Sequence, residues 1–306
     1  MDRPDAGSGA GGPDRPRGQP EQQEFAGMPA RLYPCTPTRL STWLDCPRRY
    51  RFAYLDRPTP AKGPPWAHNS VGAAVHSALA DWWRLSRAAR TAEAGATAVR
   101  QRWLAEGFRD TGQSLQHRES AAGWVRRYLE GVDPAIEPVG VERVVSTPTR
   151  TLVLSGRVDR IDERPDAGGG RELVIVDYKT GRRPPEPDDA RSSLALGIYA
   201  VAAARTLRRP CWRVELHHLP SGTLSAAVHT PAALARKVGE AESVAADAAA
   251  ADRSFREGRT GPEVFPPRPS PMCSWCDWRR WCPEGQAAAP DVEPWAGLTG
   301  FPQPRP

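Results

Sequence analysis

The stretch "RELVIVDYKT", residues 171–180, decides how the rest of the chain is read. Leu173, Val174, Ile175 and Val176 form an unbroken, β-prone apolar run, the pattern of a strand covered on both faces. The run ends on Asp177, Tyr178 and Lys179. Residues two apart on a strand project from one face, so Asp177 and Lys179 share a side. Just upstream, "TLVLSGRVDRIDE" (151–163) reads as a second strand, with Asp159 near its end. The intervening "RPDAGGG" (164–170) predicts a flexible hairpin that would set Asp159 beside the third strand. An isolated Asp-x-Lys is usually an ordinary surface ion pair. The end of an apolar strand is a poor place for a casual charge, and here a second carboxylate converges on the same edge. Two carboxylates can hold Mg²⁺ or Mn²⁺, because hard cations take oxygen ligands, and the backbone carbonyl of Tyr178 lies on the same rim. Such a cation acidifies its bound water and neutralises charge growing on a phosphate. A lysine beside it can orient that water or take its proton.

The surrounding pattern is α/β. "TPTRLSTWLDCPRRYRFAYL" (36–55) predicts a helix, and a stronger one spans 69–87 with an apolar stripe through Val71, Val75, Leu79 and Trp82. Two more helices are expected near 95–108 and 119–130. "VGVERVVSTP" (139–148) is a strand ahead of the two already described. A helix over 188–207, strands in "WRVELHHL" and "TLSAAVH", and an Ala-rich helix over 231–255 complete the order. The expected architecture is a mixed sheet flanked by helices, with a helical N-terminal portion. The domain layout read here is a Pro/Gly-rich disordered tail at 1–30, one domain over 31–290 and a flexible tail at 286–306. Within the domain, 36–135 is helical, 136–255 is the β-containing core and 262–285 carries a cysteine cluster.

No segment approaches the roughly 18 consecutive apolar residues of a membrane span. The N-terminus lacks an apolar signal core, so a cytoplasmic location is expected. The net charge of +6 leans towards an anionic partner, nucleic acid first. Of 42 basic residues only Lys62, Lys179 and Lys237 are lysines. A lysine kept where arginine is the rule is a candidate for chemistry that arginine, which never gives up its proton, cannot perform. No phosphate-cradling G-x-x-x-x-G-K-[ST] loop occurs, so no ATP motor is recognisable.

"PMCSWCDWRRWC" (271–282) places Cys273, Cys276 and Cys282 in a C-x₂-C-x₅-C spacing. Thiolate sites for zinc or iron–sulfur clusters ordinarily take four protein ligands, so a fourth must come from elsewhere, and spacing alone does not separate the two metals. Cys35 lies in a Pro-bounded loop, and Cys211 at a strand start reads as a small buried hydrophobe.

Taken together, "GRVDRIDE" followed by "ELVIVDYKTG" resembles the nuclease core of RecB-type and AddB-type proteins and the CRISPR adaptation nucleases, within the PD-(D/E)XK superfamily. "LSTWLDCPRRYRF" is similar to that family's N-terminal helix, "VGAAVHSAL" to its helix with one metal-binding histidine, and "CSWCDWRRWC" to its C-terminal cysteine trio. The resemblance runs from about residue 36 to 285. It implies a restriction-endonuclease-like α/β core with a C-terminal iron–sulfur clasp. Asp159, Asp177, His76 and the Tyr178 carbonyl would hold Mg²⁺ or Mn²⁺, and Lys179 would be the catalytic lysine. Glu142 matches an acidic position on the first core strand. Cys46 would join Cys273, Cys276 and Cys282 around a 4Fe–4S cluster, with zinc as the alternative. In the helix after the Asp-x-Lys strand the family has Gln four residues before Tyr; here Tyr199 is kept and Ala195 replaces the Gln. The implied function is a metal-dependent DNA nuclease, a single-strand exonuclease in repair or recombination, with a possible helicase partner. The competing expectation is a DNA-binding scaffold that keeps the fold and cuts little. Interleaved Arg and Trp near the cysteines suit single-stranded DNA, with Arg48, Arg49, Arg279 and Arg280 as contact candidates.

Overall fold

A computed structural model of the chain describes residues 32–166 and 168–298; the tail expected at 1–30 and residues 299–306 of the tail expected at 286–306 lie outside them. A short strand β1 (Tyr33–Cys35) leads into α1 (Pro37–Asp45) and α2 (Pro47–Tyr54). One helix was expected over this stretch. The structure breaks it at Cys46, whose φ of −167° and ψ of 114° are extended, because the ring of Pro47 excludes helical geometry from the residue before it. Cys35, expected in a loop, is buried in β1. The helix α3 (Ala67–Arg84) buries Val71, Val75, Leu79 and Trp82 as the stripe predicts. It is followed by α4 (Ala92–Gln101) and α5 (Thr111–Glu130), whose N-caps Thr91 and Asp110 each accept a backbone N–H.

Three strands then form a meander: β2 (Gly140–Pro148), β3 (Leu152–Pro165) and β4 (Arg171–Lys179). The expected 188–207 helix is two pieces, α6 (Asp189–Ser192) and α7 (Leu194–Leu207). At the break, the Ser193 hydroxyl caps α7 by accepting the Leu196 N–H at 3.2 Å. Strands β5 (Cys211–His218) and β6 (Thr223–Val228), the long α8 (Pro231–Arg256) and the short α9 (Pro283–Ala288) follow. Residues from 286 to 298, read from sequence as the start of a tail, lie against the body. The Pro294 carbonyl accepts the Ala67 N–H at 3.1 Å, and Leu298 is buried.

The sheet runs β1-β3-β4-β5-β6, with β2 on the other edge of β3. One face carries Val174, Val176 and Tyr178 into a core with Val71, Trp82 and Trp124 of α3 and α5. The opposite face packs Leu173, Ile175 and Val214 on Leu196, Ala200 and Ala203 of α7. Covered on both sides, residues 173–176 have no polar position, which is why they read as a continuous apolar run.

The register of β3 creates a fork. Antiparallel β2 follows one edge of it between residues 153 and 161. The other edge is shared, because β1 pairs in parallel with 152–154 and β4 antiparallel with 160–165. Residues 155–159 between them pair with no strand on that side. The β3–β4 ladder stops at Arg160–Val176, while β4 continues on β5 as far as Lys179–His218. Asp159 and Asp177 therefore stand on the two prongs just past the last rung.

Behind the fork lies a buried ionic network. Arg160 stacks over Trp83, 4.9 Å from the ring centre, and pairs with Asp162 at 3.0 Å. Arg164 bridges Asp162 and Glu215 at 2.8 Å each, and Glu215 meets His217 at 2.9 Å. Burial alone would raise the Glu215 carboxyl, but the hydrogen bonds from His217 and Arg164 outweigh it and hold it at about 2. A carboxyl depressed in the folded state contributes stability above its unfolded value of about 4.3 and loses it as pH falls towards the folded one. Glu215→Gln is expected to cost about 3 kcal/mol at neutral pH by removing the buried carboxylate that Arg164 and His217 both contact. Urea titrations across pH 2–7 should show a shallower acid limb in the variant. Identical limbs would remove Glu215 as the acid-sensitive group.

Candidate active site

At the fork, a side chain does what a strand would otherwise do. The Tyr178 N–H donates to Asp159 Oδ2 at 2.8 Å. Tyr178 is fixed at its other end too, since its buried hydroxyl accepts from Trp83 Nε1 at 3.1 Å and from Arg160 Nη1 at 3.2 Å. The remaining oxygen of Asp159 faces α3, where His76 Nδ1 lies 3.3 Å from Oδ1. The His76 ring meets Tyr178 edge-on at 6.0 Å.

Glu142 completes the group. Ligand atoms of His76, Glu142 and Asp159 all lie within 4.8 Å of one another, close enough to share one cation. The β2–β3 register passes from Val141–Arg160 to Arg143–Val158 and leaves Glu142 out. Its φ is +48°, a left-handed conformation that a glutamate adopts only at some cost. Arg157 secures the carboxylate at 3.0 Å. On the other prong, Asp177 Oδ2 sits 2.7 Å from Lys179 Nζ, and the lysine is half exposed.

The charges act on one another. Burial raises the Asp177 carboxyl, and the negative charge of Asp159 adds to it, against the pull of Lys179 and His76. Glu142 is raised by burial and by Asp159. Burial would lower His76, but its hydrogen bond to Asp159 and the charges of Asp159, Asp177 and Glu142 raise it overall. A divalent cation among these groups would relieve the crowding of like charges. The Tyr199 phenol, over the same acids, is pushed up to about 12 by burial and by Asp177 and Asp159. His76, Glu142, Asp159 and Tyr199 line one open cavity of about 790 Å³, with Thr36, Pro37 and Thr38 in another wall.

Sequence reading missed two supports of this site. Gly156 lies in the stretch of β3 that is paired with β2 alone, and a Cβ there would collide with the Tyr199 ring. A glycine inside a strand pattern is the signal that announces such an approach. Arg157, which holds Glu142, leaves no signal of its own.

The four cysteines Cys46, Cys273, Cys276 and Cys282 line a second, small cavity of about 50 Å³. Cys35 and Cys211 are buried elsewhere. The fit to a thiolate-bound group is good: two sulfurs converge over Gly285, whose Cβ would lie 3.4 Å from Cys282 Sγ and 3.6 Å from Cys273 Sγ. The arginines considered for DNA are engaged with protein partners here. Arg48 pairs with Glu284 at 2.5 Å, and Arg49 lies 3.4 Å from Asp45. Arg279 donates to the carbonyls of Gly285 and Ala289, and Arg280 to that of Ala61. Trp278 is buried and donates to the Pro60 carbonyl, whereas Trp281 is half exposed.

A fork carrying Asp-x-Lys on one prong, with an acid on the other and a histidine above it, offers carboxylate and imidazole ligands of the kind a divalent cation takes. Residues 34–283 match the PD-(D/E)XK nuclease superfamily, and the chain belongs to it. The solved structure of SSO0001 aligns with 84% of this chain and 88% of its own, at 16% identity and a TM-score of 0.36. No curated protein matches the sequence significantly.

Gly156→Ala is expected to displace Tyr199 and cost about 1–3 kcal/mol. Adding Tyr199→Ala should recover part of that loss in thermal melts, and failure to recover would exclude the ring as the obstacle. If His76 and the raised carboxyls bind a cation, their protons must leave first, so Mn²⁺ affinity should climb with pH through and above the ordinary histidine range. Calorimetric titrations from pH 5.5 to 8.5 measure this, and a flat profile would remove His76 from the ligand set.

Proposed function

We propose that the chain is a Mg²⁺- or Mn²⁺-dependent deoxyribonuclease acting on single-stranded DNA ends in repair or recombination, beside a helicase partner. The observation that carries the reading is the convergence of His76, Glu142 and Asp159 within 4.8 Å, beside the Asp177–Lys179 pair. Asp159, Asp177, His76 and the Tyr178 carbonyl serve as cation ligands, with Glu142 as a further acid of the set. A cation held there would supply an acidified water, whose oxygen bonds to phosphorus as the leaving oxygen departs, and would neutralise phosphate charge. Lys179, held by Asp177, orients that water and handles its proton. Hydrolysis breaks one P–O bond and leaves a phosphate monoester end and a hydroxyl end. Tyr199 packs over the acids and shields them from solvent.

The four-cysteine cavity is read as a 4Fe–4S site with a structural role. Among the described residues the sulfurs do not gather within 4.8 Å of one another as the His76 group does. Thiolates hold zinc as readily, so the choice of iron–sulfur rests on the resemblance of the cysteine pattern.

The test is cleavage of end-labelled single-stranded DNA by anaerobically purified protein with Mn²⁺ or Mg²⁺. Asp177→Ala and Lys179→Ala should each reduce the rate by at least about 100-fold. Wild type cutting no faster than either would leave the scaffold reading, and faster loss of RNA than DNA would redirect the substrate. Metal analysis with visible absorbance decides the cluster: a colourless protein with stoichiometric zinc would replace iron–sulfur.

A further inference from the structure

The cavity that holds the candidate cation ligands has a second, basic end. Along one side of α3 it is lined by Ala73, His76, Ser77, Ala80, Asp81 and Arg84. His76, Ala80 and Arg84 follow at intervals of four, so they form one stripe of the helix. The residues between the two ends are small, and an extended chain can lie against them. Arg102, from the C-terminal end of α4, faces the same cavity. Its Nε donates to Asp81 Oδ2 at 2.6 Å, and Arg84 Nη1 lies 3.4 Å from Asp81 Oδ1. A single carboxylate thus steadies two guanidinium groups and leaves one net positive charge. Both guanidinium groups remain more than half exposed.

We propose that Arg84 and Arg102, steadied by Asp81, form a phosphate-binding subsite that grips the substrate strand a few nucleotides from the bond that is cut. This rests on the nuclease reading above. Eight residues of helix separate His76 from Arg84, about 12 Å of rise, which matches roughly three phosphates of a stacked strand. Guanidinium groups recognise phosphate through paired N–H donors, and two forks held on one carboxylate are pre-arranged for it. The remaining arginine of the cavity, Arg157, is committed to Glu142. As bare surface ion pairs, Asp81–Arg84 and Asp81–Arg102 contribute little to stability, so their loss need not disturb the fold.

The discriminating measurement is the dependence on strand length. Arg84→Gln with Arg102→Gln is compared with wild type in binding fluorescent oligothymidylates, with Ca²⁺ in place of Mg²⁺, and in cutting a dinucleotide. Longer oligomers should bind about 5–20-fold more weakly to the double variant. The slope of log affinity against log salt should flatten by about 1.4, for two phosphate contacts at roughly 0.7 each. Dinucleotide cleavage, which does not reach the subsite, should fall far less than cleavage of long strands at equal melting temperature, the residual change being the charge that Arg84 exerts on Glu142. Unaltered binding of long oligomers, or equal loss on short and long substrates, overturns the subsite. Wild type that binds long oligomers but cuts nothing would sink the nuclease reading, and the binding comparison would still judge the subsite. Wild type that binds no oligomer would sink both.

Discussion

The hydrogen bond from the Tyr178 N–H to the Asp159 carboxylate is the interaction on which the site depends. A backbone donor inside a sheet must be satisfied, and at the fork no strand carbonyl is opposite it. The carboxylate takes that place, which fixes Asp159 in position and turns its second oxygen towards α3. Separation of β3 from β4 is therefore no defect in the sheet. It opens the space in which His76 and Glu142 come close enough to Asp159 to share one cation, and the sheet tolerates it because a side chain satisfies the group exposed by the split.

Holding the fork at one point would still let β4 pivot. The pivot is blocked from behind, where the Tyr178 hydroxyl is gripped by Trp83 and by Arg160. A buried guanidinium is costly to desolvate, and this one is matched by Asp162 and by the Trp83 ring. Both faces of β4 thus have a task. One carries Asp177 and Lys179; the other anchors the strand to the helical layer through Tyr178. Glu142 shows the same economy on β2, where a left-handed residue removes one rung from the ladder and brings its carboxylate into the group.

Much of this was legible in the sequence because it follows from periodicity. The apolar run 173–176, the alternation around Asp159 and the stripe of α3 each report burial directly, and the elements they predict are present. The breaks at Cys46 and Ser193 were missed, since a helix pattern continues across both and only Pro47 and a capping hydroxyl give them away. The strand β1 is three residues long, and its pairing with residues 152–154 is a tertiary event with no local signature. The same holds for Glu142: nothing in "VGVERVV" announces a positive φ, so its approach to Asp159 could not be read from alternation. The protein partners of the arginines beside the cysteines were not legible, because composition reports charge and not partners. In the folded chain those side chains hold carbonyls and carboxylates of the loops they join.

The two cavities are linked through α1, and the link is narrow. Thr36, Pro37 and Thr38 at the start of α1 form a wall of the catalytic cavity, while Cys46 lies at its other end in the cysteine cavity. Joining residues so far apart in sequence removes a large loop entropy from the unfolded chain, so a group bound by the cysteines would stabilise the whole domain. Yet α1 has an anchor of its own. Asp252 of α8 receives Arg39 at 2.8 Å, the Tyr33 hydroxyl at 2.7 Å and the Tyr50 hydroxyl at 3.0 Å. That cluster fixes the helix near the wall of the larger cavity, whereas Trp278 and Arg280, among the cysteines, hold the loop through Pro60 and Ala61 by its carbonyls. A group bound by the cysteines would tie the ends of the domain together, whereas the geometry of the acids is set by the fork and by the Asp252 anchor.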